Sequence, residues 1–157
     1  MAQTLIVANR TVGGGDLAAA VRARSDPARR FLLLVPVAAP STAVVAIGAA
    51  AADMTAPALV DLPDEHQLAC DRLAFGLEWL LSLGAAAAGQ LSTEPDTVDA
   101  VAALVADTAS SPGDRIDEVI VSTLPSTVSR WLRQDLPSRL QRRIEMPVTV
   151  VTSTARS

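Results

Sequence analysis

The chain has no lysine and no tyrosine, one histidine (His66), one cysteine (Cys70), two tryptophans and two phenylalanines. Each shortage removes a class of function. A single cysteine excludes an intramolecular disulfide and a cysteine-built metal cluster. A single histidine excludes a metal site made of several imidazoles, so carboxylates would have to supply the other ligands. With so few aromatics, the core must be built from Ala, Val, Leu and Ile, as in α/β proteins whose strands are buried on both faces. All 13 basic residues are arginine, which reads as the codon bias of a GC-rich coding sequence. The net charge of −4 lacks the basic excess of a general nucleic-acid binder. Residues 41–60 are low in charge, but they are Ala-rich and contain Asp53 and Pro57, so they do not read as a membrane span. Residues 1–7 have no basic segment followed by a long apolar core and read as a first strand, not a signal peptide. A cytoplasmic protein without membrane or nucleic-acid contacts is expected.

What is present is a chain of 157 residues, half of them hydrophobic, enough for one sizeable core. A single domain over residues 1–153 and a short polar tail over 154–157 are expected. Apolar, β-branched residues 5–8 read as the first strand, and 9–15 as a turn. Asp16 stands where a helix N-cap is expected, with Leu17, Ala20, Val21 and Ala23 lining the helix and Asp26-Pro27 stopping it. Residues 31–37 are continuously apolar, which predicts a central strand with Pro36 near its end. Residues 38–63 are long for an unstructured loop; within them 43–47 read as a short strand or a helical turn, in a hairpin or a lid. A helix follows from 63 to about 83, with Leu73, Leu77, Leu80 and Leu81 on its buried face and Gly84 as its C-cap. Residues 85–91 form a weak strand, and Glu94-Pro95-Asp96 starts a helix with Val98, Val101, Ala102 and Val105 inside. After a break at 110–114 come a strand at 118–122, a polar turn, a helix at 135–143 and a strand at 148–152.

This alternation predicts an α/β, three-layer α/β/α sandwich around a five-stranded, mostly parallel sheet. In such sheets ligands sit beyond the carboxyl ends of strands, where strand order reverses. That rule singles out Asn9, Arg10 and Thr11 after the first strand, Val37 after the second, and Ser122, Thr123, Ser126, Ser129 and Arg130 after the fourth. Hydroxyls there suit phosphate or ribose, with Arg130 supplying charge; the plainer reading is that they satisfy turn amides locally. Arg130, Arg133, Arg139, Arg142 and Arg143 form either an anion-binding face or a solvated helix face paired with Asp135 and Glu145. Trp131 either stacks on a planar group or anchors the loop.

Residues 117–121 and 146–151 (MPVTVV) resemble the entry and exit strands of the last third of the universal stress protein family. The resemblance implies sheet order 3-2-1-4-5, a non-catalytic stress or regulatory module, and homodimers paired through Val148, Thr149, Val150 and Val151 of the fifth strand. It also brings ATP or AMP into consideration as ligand. The family's Gly-x-x-Gly, nine residues, Gly-Ser/Thr pattern falls here on Ser122, Pro125, Asp135 and Leu136. Without those glycines the phosphates lose their approach to the amides of a helix N-terminus. Asp135 is expected to cap that helix itself and to repel a triphosphate, so no ATP cofactor of the usual kind is expected. Asn9 stands near a position where the family often carries a nucleotide-binding aspartate. The alternative to a small anionic or nucleotide ligand is a homodimeric scaffold without a ligand.

Two further patterns are weaker. Gly13, Gly15 and Ala18 spell G-x-G-x-x-A, but four residues separate it from the strand and no acidic residue ends the second strand, so a dinucleotide site is not supported. His66 and Cys70 lie one helical turn apart, yet without an oxyanion-forming turn they do not make a catalytic pair. No phosphate-binding loop, paired metal ligands or Ser-His-Asp set can be assembled, so no enzyme activity is assigned.

Overall fold

Alternation along the first strand divides the molecule into two cores. A computed structural model describes residues 2–8, 13–24, 29–37, 65–92, 96–110, 115–123 and 135–152. Within it the elements run β1 (Ala2–Val7), α1 (Gly15–Ala23), β2 (Arg29–Pro36), α2 (Glu65–Ser82), β3 (Ala86–Ser92), α3 (Thr97–Ala109), β4 (Ile116–Thr123), α4 (Leu136–Arg143) and β5 (Val148–Thr152). The five strands form one sheet in the order β3-β2-β1-β4-β5. All four pairings are parallel, as the strand–helix alternation predicts.

Successive residues of a strand point to opposite faces. Leu5 and Val7 therefore join β4 residues Val119 and Val121 beneath α3 and α4, where Val98, Val101, Leu104, Leu136 and Leu140 close the core. Ile6 and Ala8 point the other way, joining Phe31, Leu33, Val35 and Ile120 beneath Leu17 and Val21 of α1 and Ala69 and Leu80 of α2. Residues 5–8 are covered on both faces, which explains their unbroken apolar run. Pro36 ends β2, where a missing N–H costs the ladder least.

Several local expectations are corrected. Helix α1 starts two residues earlier than Asp16 would allow as a cap. Gly14, in extended conformation, takes the N-cap position and Asp16 falls in the first turn. Ala18, not Ala23, completes the inner stripe of α1. Leu81 is 60% exposed. The stripe of α2 runs through Ala69, Leu73, Gly76, Leu77 and Leu80, and Leu81 is turned about 100° away from Leu80. Gly84 does take the positive φ of a helix C-terminal glycine, at 83°. Strand β4 begins at Ile116, earlier than expected, because of a bulge. Gln3 faces Ile116 and Thr4 faces Glu118, leaving Asp117 as the extra residue. The segment 38–63, with its short strand or helical turn, lies outside the described residues, as does the tail 154–157.

The bulge organises a charge network at the amino ends of the strands. Arg24 Nε donates to both carboxylate oxygens of Glu118, at 2.8 and 3.0 Å. Arg29 donates to Thr4 Oγ1 at 2.6 Å and to Asp117 Oδ1 at 2.9 Å. This network ties α1, β1, β2 and β4 together at the end of the sheet opposite the strands' carboxyl ends.

Candidate functional site

Connections from β1 run to β2 and β3 on one side, whereas β4 and β5 lie on the other. Strand order thus reverses between β1 and β4, and in sheets of this kind ligands sit beyond the carboxyl ends of those strands. Val7 pairs with Leu34 on one side and Val121 on the other, so β1 ends two residues short of β2 and β4, which run on to Pro36 and Thr123.

At that level the chain turns polar. Ser122 is 1% exposed and Thr123 is 3% exposed, and both engage in polar interactions. Alternation sends them apart: Ser122 shares the α1/α2 face with Ile120, and Thr123 shares the α3/α4 face with Val121. They stand at one end of the sheet but do not line the same wall. Val37 lies beyond β2, its amide donating to Ser92 O at 2.8 Å, and its side chain packs on the α1/α2 face. Of the nine expected site residues, Val37, Ser122 and Thr123 lie among the described residues, at the carboxyl ends of β2 and β4. Asn9, Arg10, Thr11, Ser126, Ser129 and Arg130 lie outside the described residues, as do Arg133 and Trp131.

Asp135 departs from expectation. It occupies the N-cap position of α4, yet its carboxylate makes no capping hydrogen bond. Its backbone is left-handed, with φ 56° and ψ 40°, whereas a side chain that caps starts from extended backbone. Pro137, in the first turn, also removes one amide that a cap would serve. Arg139 N donates to Asp135 O at 3.1 Å, closing the first turn. The Asp135 side chain stays exposed, so its charge remains at the helix N-terminus. Among the described residues only Asp135 combines a side chain with positive φ.

Arg139 and Arg143 of α4 are paired, but not with Asp135 or Glu145. Arg139 Nη2 donates to Asp96 Oδ2 at 2.6 Å, and Arg143 approaches Asp99 Oδ1 at 3.6 Å. Asp96 is the N-cap of α3, its Oδ1 accepting from Val98 N at 2.9 Å. That backbone hydrogen bond first, and then the bond from Arg139, hold its carboxyl below the ordinary aspartate range. Sequence reasoning missed this pair because its members are 43 residues apart.

His66 Nδ1 lies 3.6 Å from Cys70 Sγ on α2. Among the described residues no group of three or more His, Cys, Asp or Glu side chains is placed to hold a metal ion. No helix among them is long and apolar enough to cross a membrane. One contact at the turn before α1 was not anticipated. The ring of Phe75, on α2, lies against Gly13 in the turn that leads from β1 to α1. The available signal was that Phe75 falls off the leucine stripe of its helix.

No family model matches the sequence, and no curated protein sequence matches it. The fold does have solved counterparts. A universal stress protein family protein from Arabidopsis thaliana, solved with AMP bound, aligns with a TM-score of 0.61 at 12% identity, covering 99% of this chain and 94% of that one. A protein of the same family from Burkholderia pseudomallei gives 0.57 at 17% identity, covering 95% and 94%. A universal stress protein in complex with cAMP gives 0.52 at 16% identity, covering 97% and 98%. In sheet order, layers and full-length coverage, this chain has the universal stress protein fold.

Proposed function

We propose that this chain is a non-catalytic, cytoplasmic stress or regulatory module that binds a small nucleotide or another small anion beyond the carboxyl ends of β1 and β4. The observation that carries this reading is the pair of buried hydroxyl residues, Ser122 and Thr123, where strand order reverses. The fold neighbours solved with AMP and cAMP add support. The exposed carboxylate of Asp135 at the α4 N-terminus opposes a closely held triphosphate. Ligands with fewer charges than ATP are therefore favoured.

Calorimetric titration with AMP, cAMP and ATP tests the reading. Binding of AMP or cAMP in the micromolar range, weaker for ATP and abolished by Arg130→Ala, is expected. No binding of any of the three, or binding tightest for ATP, refutes it. In the proposed site Asn9, Arg10, Thr11, Val37, Ser126 and Ser129 complete the lining.

A second reading is favoured by β5. It is an edge strand, five residues long, and its Val150 is 39% exposed. An open edge of this kind pairs with a second copy about a two-fold axis. Val148, Thr149, Val150 and Val151 would carry the contact. Light scattering after size exclusion is expected to report a dimer at micromolar concentration, and a stable monomer rejects this reading.

A further inference from the structure

We draw no further inference here: the strongest candidate, the His66–Cys70 side-chain pair one helical turn apart on α2, is a single cysteine 3.6 Å from its own helix neighbour, and no second observation at the pair points to a metal, an oxidant or another ligand.

Discussion

Gly89 offers the sharpest test of how the α1/α2 layer is built. A Cβ placed there would sit 2.7 Å from Leu73 Cδ1, 3.2 Å from Leu77 Cδ2 and 3.0 Å from the carbonyl oxygen of Leu33. Two of these atoms are tips of flexible side chains and can move. The third is backbone of the neighbouring central strand, and it cannot. Replacing Gly89 by Ala has two opposed effects. Removing a glycine from a strand interior lowers unfolded-state entropy and is worth about 0.5–1 kcal/mol in favour of folding. Overpacking in a closed layer costs about 1–3 kcal/mol. Because α2 is pressed onto β3 by the same Leu73 and Leu77 that meet the new methyl, the second effect wins. Gly89→Ala is expected to destabilise the chain by about 1 kcal/mol, lowering Tm by roughly 2–6 °C for a chain of this size. Gly89→Val should cost about 3 kcal/mol, since two further methyl groups meet the same wall. Urea denaturation with a fixed m-value measures both. A neutral or stabilised Gly89→Ala would show that α2 can lift away from β3, and the close-packed contact would have to be abandoned.

Other sites yield independent outcomes. Leu140, fully buried between α4 and the sheet, should cost about 2–5 kcal/mol when changed to Ala, read by the same denaturation. A double-mutant cycle over Arg24 and Glu118, whose side chains are 23% and 19% exposed, should return a coupling of about 1–2 kcal/mol. The same cycle over Arg143 and Asp99, 57% and 55% exposed, should return no more than about 0.5 kcal/mol. Asp96 titrates below its ordinary range in the folded chain, so its contribution is complete at neutral pH and fades as pH falls below about 4. Asp96→Asn should therefore be less stable than wild type at pH 7, with the gap closing on acidification; a gap independent of pH would refute the assignment.

The legible parts of this fold were those whose signal is local. The unbroken apolar runs at 31–37 and 119–121 announce strands covered on both faces, and the structure buries Phe31, Leu33, Leu34 and Val35 within 1% of full enclosure. Even the weak third strand was recoverable. Its small residues Ala87 and Gly89 are what let α2 approach, a reason that concerns packing and not β-propensity. The illegible parts depend on partners far along the chain or on backbone state. Nothing near Arg139 in sequence says that its acceptor is the cap of the preceding helix. Asp117 looks like any strand residue until the register of β1 against β4 makes it the extra one.

Asp135 marks where composition alone misleads. An aspartate before Leu136-Pro137 reads as a cap, because aspartate is among the residues most preferred at a helix N-cap. The backbone resolves the matter differently. It adopts a left-handed turn of the kind that glycine favours and that aspartate, unlike β-branched residues, tolerates. A conformation that glycine favours is thus adopted by a residue that carries a side chain. The consequence concerns the ligand more than the helix. A capping carboxylate would have its charge spread over the first-turn amides, whereas this one remains exposed at the positive end of α4. It competes for that end with any phosphate brought there.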